Sequence, residues 1–276
     1  NPRIAIKYEL TPSLVLRANV GTGFRAPYGF SEDLHLCSGS PRVWKSSNLK
    51  GERAISYNLS ADYYAKKYQF SINIFRTNLK DKIQFSPADD EVKKFGYSYQ
   101  WENVDDAYVQ GVELGAKANL FRNFNAGINW TFNQGKFKHE RADWSDPNDE
   151  TVKEFPQRLQ YAKDSRNISR FPAMTGDIDL DYTPGTWTFS LTSSLQGKMY
   201  IDYNSEDNGA TSKIKKTNTF MIFNCRAAKR FGTCTVYAGA KNIFSYIQDE
   251  KHTDDAAFMY APVYGATWYV GLSVKL

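Results

Sequence analysis

The residues able to do chemistry are few, and they do not form a catalytic set. His35, His139 and His252 are spread along the chain, each in a polar stretch between strand-like segments. Cys37, Cys225 and Cys234 are too few for a disulfide framework and have no histidine at zinc-ligand spacing. Asp177, Asp179 and Asp181 alternate with Ile178, Leu180 and Tyr182. A row of carboxylates on one strand face would be ruinous in a packed core and is tolerable only against water. Val20-Gly-Thr-Gly-Phe-Arg-Ala-Pro27 looks like a dinucleotide fingerprint, but a proline follows at once, with no helix pattern and no later acidic partner. No Ser/His/Asp or Asp/His group is spaced as an active site, so no enzyme is expected.

The elements that carry these residues are strands. The chain has 276 residues, 41% hydrophobic and 15% aromatic, with a formal charge of +5 and scattered charges that argue against nucleic acid as a partner. No run is long and apolar enough for a transmembrane helix. Yet period-two alternation recurs throughout. Trp268, Val270, Leu272, Val274 and Leu276 form one face of the last segment, and Phe124, Ala126, Ile128, Trp130 and Phe132 one face of an earlier one. Such segments number about eleven, and their connections alternate between short turns and long polar loops, as in outer-membrane barrels. The expected fold is an all-β, antiparallel transmembrane β-barrel. A soluble β-sandwich adhesin is the rival. It would make the asymmetry of the connections accidental.

Several short boxes then gain meaning from their order. Phe24-Arg-Ala-Pro27, Asn48-Leu-Lys-Gly-Glu52, Glu102-Asn-Val104 with Gly111-Val-Glu113, Arg170-Phe-Pro172, Lys241-Asn-Ile-Phe244 and the terminal Tyr269-x-Gly271-x-x-Val274-x-Leu276 together resemble TonB-dependent outer-membrane receptors. Two departures are Gly51, where the family usually has proline, and the missing terminal aromatic. Ser31-Glu-Asp-Leu-His35 resembles receptors of Bacteroidetes-type bacteria.

The resemblance implies a barrel of about 22 strands around a plug. Residues 1–276 would be its C-terminal part, with the plug and N-terminal strands outside this chain and the chain starting mid-barrel. It implies active uptake of a scarce metal chelate (iron–siderophore, haem or cobalamin). The partners would be the TonB complex, the plug, outer-membrane lipid and, for a glycan or oligopeptide importer of the same architecture, a surface lipoprotein. It implies no cofactor. The long loops would be extracellular and the C-terminus periplasmic.

Arg25, His35, Trp44, Tyr97, Tyr99 and Trp101 are the candidate ligand contacts of the loops. His35 sits where haem receptors of the family place a ligating histidine, and it is otherwise an ordinary surface histidine. The loop aromatics, Tyr28 and Tyr260 included, either grip a flat ligand or belong to an interfacial girdle. Arg25 and Glu52 flank one loop and either pair across it or stand solvated. Glu113, Asp177, Asp179 and Asp181 are expected to face the lumen, against the plug or as hydrated wall. Cys225 and Cys234 straddle a turn and are either a disulfide or two lipid-facing thiols.

Overall fold

The structure is a computed structural model that describes residues 1–27, 43–45, 48–87, 90–97, 99–139, 166–168, 170–204, 212–248 and 260–275. Its strands are β1 (Arg3–Thr11), β2 (Leu14–Arg25), β3 (Val43–Lys45), β4 (Glu52–Tyr64), β5 (Tyr68–Lys80), β6 (Ile83–Pro87), β7 (Tyr99–Asn103), β8 (Ala107–Phe121), β9 (Phe124–Phe137), β10 (Met174–Tyr182), β11 (Trp187–Gln196), β12 (Tyr200–Asn204), β13 (Ser212–Lys216), β14 (Phe220–Phe231), β15 (Cys234–Lys241) and β16 (Thr267–Val274). One short helix, α1, spans Asp90–Lys93.

An 11-stranded sheet runs in the order β1-β2-β4-β5-β8-β9-β10-β11-β14-β15-β16, each strand antiparallel to the next. Short turns join β1 to β2, β4 to β5, β8 to β9, β10 to β11 and β14 to β15 at one end of the sheet. Long connections join the other pairs at the opposite end. Two small sheets form within these connections: the three-stranded β3-β7-β6 and the hairpin β12-β13. The sequence pattern reads both stretches as plain loop. β11 ends at Gln196, and Met199 beyond it is 6% exposed under the loop end.

In β4, β5 and β16 exposure is inverted relative to a water-soluble protein. In β5, Tyr68, Phe70, Ile72 and Ile74 are exposed, while Gln69, Ser71 and Asn73 are partly shielded. In β4, Leu59 is 58% exposed, and Val270 in β16 is 79% exposed. The apolar face is thus the outward one. It is continuous because the register aligns it: Ile72 opposes Leu114 and Ala61, and Ile178 opposes Ile128. From Phe124 to Phe132 the strand rises roughly 27 Å. With a tilt of roughly 40° that spans about 21 Å, close to the ~25 Å apolar band of an outer-membrane barrel.

A chain of aromatic rings marks the short-turn edge of this band. Phe121 stacks on Phe124 at 4.7 Å, Phe124 meets Tyr182 at 6.4 Å, Tyr182 stacks on Phe189 at 6.4 Å and Phe189 on Trp187 at 5.5 Å. The Lys229 ammonium lies 4.8 Å from the Trp187 ring. Amphipathic rings with an adjacent cation suit a membrane interface.

The register rules out a Cys225–Cys234 disulfide. Cys234 opposes Phe231 beside the turn, whereas Cys225 opposes Ala240. At about 3.4 Å per residue the two are roughly 20 Å apart along the hairpin, far beyond disulfide reach. Both thiols are free and lie on the apolar face. Cys37 lies outside the described residues.

Glycines on the shielded face are slots for aromatic rings. Gly239 opposes Tyr269 and Gly271 opposes Tyr237, and a Cβ on either glycine would enter the facing ring. Gly271→Val and Gly239→Val are expected to cost about 1–3 kcal/mol each through overpacking. The measurement is the fraction of the full receptor that stays compact on unheated detergent gels. Gly127→Ala, whose Cβ would meet nothing closer than 3.9 Å, is expected to match wild type.

Candidate functional site

Two surfaces emerge from this fold: a polar wall on the face opposite the apolar one and a braced rim at the loop end. The wall gathers the carboxylates of the sequence pattern into one region. Glu113 accepts a hydrogen bond from Asn73 Nδ2 at 2.9 Å, Asp177 from Asn129 Nδ2 at 2.8 Å and Asp181 from Ser190 Oγ at 2.5 Å. Asp179 lies in register with Lys117, with Gly127 between them. Asp62 forms an ion pair with Arg17. A carboxylate has roughly four acceptor positions, so one neighbour donor leaves each able to bind a further partner.

The rim is braced by asparagines in the sequence boxes. Asn103, at the end of β7, accepts from Lys50 N at 2.7 Å and donates to Lys50 O at 3.0 Å and Asp81 O at 2.7 Å. One side chain thereby ties together the segments entering β4 and leaving β5. Asn242, 6% exposed, does the same after β15. It donates to Tyr246 O at 2.7 Å and Tyr264 O at 3.1 Å, and its own N–H donates to Asn224 Oδ1 at 3.0 Å. Its φ of 52° is one that asparagine tolerates better than most residues. Gln248 Oε1 accepts from Tyr260 N at 2.8 Å and Ala261 N at 3.0 Å. Sequence reading marks the asparagine boxes without giving them this work, and misses Gln248, whose local sequence has no periodic signal.

Arg25 is the last residue of β2, directly opposite Glu52 in β4. The Glu52 carboxylate accepts from Ile83 N at 3.0 Å and so fixes the start of β6. Trp44 of β3 meets two aromatics of the segment between α1 and β7. Trp44 lies 5.1 Å from Tyr97, edge to face, and 6.4 Å from Phe95, stacked. Phe95 is 67% exposed and is absent from the candidates read from sequence. Trp101 is 3% exposed, so it packs the small sheet. Tyr99 pairs with Val43 and Pro87 in β7. His35, Tyr28, Ser31–His35 and His252 lie outside the described residues. Among the described residues no cluster of His, Cys, Asp and Glu is placed to hold a metal ion.

His139 is a bracing residue here. Its N–H donates to Asp105 Oδ2 at 2.7 Å and its Nδ1 lies 3.1 Å from Asp105 Oδ1. Burial pushes the Asp105 carboxyl up, but the hydrogen bonds from His139 and the Asp106 N–H outweigh it and hold the group below its ordinary value of 3.8.

A sheet with its apolar face outward, a ring girdle and a polar interior face defines a membrane-spanning β-barrel wall. Residues 1–243 match the family model for the TonB dependent receptor-like β-barrel, and the chain belongs to that family. It is 26% identical over 94% of its length to the vitamin B12 transporter BtuB of Photobacterium profundum, covering 36% of that protein. It is 27% identical over 48% of its length to the ferric enterobactin receptor of Pseudomonas aeruginosa, covering 20% of it. Among solved structures, the copper transporter OprC superposes with a TM-score of 0.69 at 20% identity, over 98% of this chain and 37% of that one. The siderophore receptor PirA of Acinetobacter baumannii gives 0.69 at 16% identity, over 98% and 40%. The chain thus spans roughly a third of the length of the first of these relatives.

Because Asp105 titrates lower folded than unfolded, its bracing is complete above its ordinary value of 3.8 and is lost as pH falls through the lower folded value. Protection of the His139 amide from hydrogen exchange is expected to drop in that acid range, and Asp105→Asn is expected to lower it already at neutral pH. Asn103→Ala, which leaves buried backbone groups unpaired, is expected to cost about 1–3 kcal/mol locally, read as faster proteolysis between β5 and β8.

Proposed function

We propose that the chain forms part of the barrel of an outer-membrane importer that takes up a scarce metal chelate. Its long connections would lie outside the cell and its C-terminus in the periplasm. The observation that carries the substrate class is the Trp44–Tyr97–Phe95 cluster at the loop end. Flat or apolar faces of a catecholate siderophore, haem or corrinoid suit such a surface. Arg25, at the rim beneath, adds a cation for the anionic members of that group. The chain's relatives support the class: a vitamin B12 transporter, a ferric enterobactin receptor and a hemoglobin-haptoglobin utilization protein.

In this reading the wall of Glu113, Asp177, Asp179 and Asp181 faces the lumen and meets donors on the plug. The TonB complex acts through segments outside this chain, on energy from the inner-membrane proton gradient. The Ser31–His35 stretch supports a Bacteroidetes-type source. His35 is the residue that separates haem from the other ligands.

The test is binding by the full-length receptor in detergent to an iron–siderophore, haem and cobalamin panel. One of the three is expected to bind, and Trp44→Ala is expected to raise its Kd by about threefold to tenfold, the worth of one aromatic contact. Haem binding lost in His35→Ala would assign His35 as its ligand. Binding to none of the three, with capture of a glycan or oligopeptide instead, contradicts the chelate reading and points to an importer with a lipoprotein lid.

A further inference from the structure

The outward face carries a feature that ligand uptake does not use. Just beyond the apolar band, on the loop side, a groove of about 1030 Å³ is lined by Arg53, Arg76, Lys80, Lys138 and Arg166, with Asp106 the only carboxylate among its lining residues. These cations come from four separate segments, and the sheet register brings them together. Arg53 and Lys80 are direct cross-strand partners on the outward face, both exposed. Like charges so placed destabilise a sheet unless an anion lies between them. Lys138 is brought beside them because its N–H donates to Asp106 O at 2.8 Å. Arg53, Lys80 and Lys138 make no ion pair with any described residue.

A second, apolar groove lies directly below on the same face, lined by Val20, Tyr57, Leu59, Ile74 and Val112. Arg76 borders both grooves. It is held in place by hydrogen bonds to Asn78 Oδ1 at 2.9 Å and Gln110 Oε1 at 2.7 Å, and it lies 4.5 Å over the Tyr108 ring. A cationic cup above an apolar trough, at the level where hydrocarbon meets head group, has the shape and charge of a site for an anionic amphiphile.

We propose that this face binds a phosphorylated lipid of the outer leaflet, with its phosphate between Arg53, Lys80 and Lys138 and an acyl chain along Val20, Leu59 and Ile74. The leaflet rests on the orientation given under Proposed function. The phosphate chemistry does not.

The experiment uses the full receptor, delipidated in detergent and offered a diphosphorylated glycolipid, inorganic phosphate or phosphatidylcholine. Retained lipid is read by native mass spectrometry. The glycolipid is expected to stay bound and to be lost with rising salt. The triple variant R53Q/K80Q/K138Q, at exposed positions outside the chelate site, is expected to retain at least tenfold less while keeping the wild-type gel mobility of a folded barrel. Equal retention by the triple variant overturns the proposal, as does protection by inorganic phosphate alone, which would make the cup a free-anion site. Orientation is read separately, by labelling Lys94→Cys on intact cells with an impermeant maleimide. Labelling supports the outer leaflet. No labelling, with the glycolipid site intact, overturns the leaflet assignment and the orientation while leaving the chemistry of the cup standing.

Discussion

Everything in this structure follows from the backbone amide in hydrocarbon. Inside a bilayer no water is present to satisfy an unpaired N–H or C=O, and each orphan costs several kcal/mol. Strands can cross only if each is paired on both sides. The large sheet pairs each of its strands between the edges β1 and β16 on both sides. Pairing in turn demands antiparallel neighbours joined by tight turns at one end, leaving the other end free for long connections. The functional surfaces follow from this division. The turn end anchors the wall, and the loop end carries the rim, the aromatic cluster and the cationic cup.

The side chains obey the same solvent. Outward positions are apolar because they meet lipid, and shielded positions are polar because they meet water or a polar partner. The carboxylates of β10 are therefore ordinary here: Asp177 and Asp181 are already hydrogen-bonded by Asn129 and Ser190. The outward face changes character where hydrocarbon ends, from Ile74 to Arg76 to Lys80 along one strand. The wall and the cup thus express one rule on opposite faces and at different depths.

Much of this was legible in the sequence, and the reason is the period of two. A one-residue slip would turn every apolar side chain inward, so alternation specifies face and register together. The strands of the large sheet were readable for that reason, and so was the grouping of Glu113 with Asp177, Asp179 and Asp181. The small sheets were not. Tyr99-Gln-Trp-Glu-Asn103 and Ser212-Lys-Ile-Lys-Lys216 lack an apolar stripe long enough to stand out, and their pairing is set by tertiary contacts such as Asn103 to Lys50. The burial of Trp101, 3% exposed, was hidden for the same reason, since it depends on that pairing. Of the two readings of Cys225 and Cys234, the lipid-facing thiols hold and the disulfide does not, for a simpler reason. Both flank one turn, but a hairpin places partners at equal distances from its turn, and Cys225 and Cys234 are not. The cationic cup was invisible because Arg53, Lys80 and Lys138 meet only across strands.

The central claim is that the apolar face of the sheet meets lipid and the polar face does not. The direct measurement is spin labelling of single cysteines at positions 70 to 75 of β5, in the full receptor reconstituted into vesicles. Relaxation by oxygen dissolved in the bilayer is compared with relaxation by a water-soluble nickel chelate. The account predicts alternation: Phe70→Cys, Ile72→Cys and Ile74→Cys favour oxygen, and Ser71→Cys, Asn73→Cys and Phe75→Cys do not. Loss of the alternation, or the opposite phase, would contradict it.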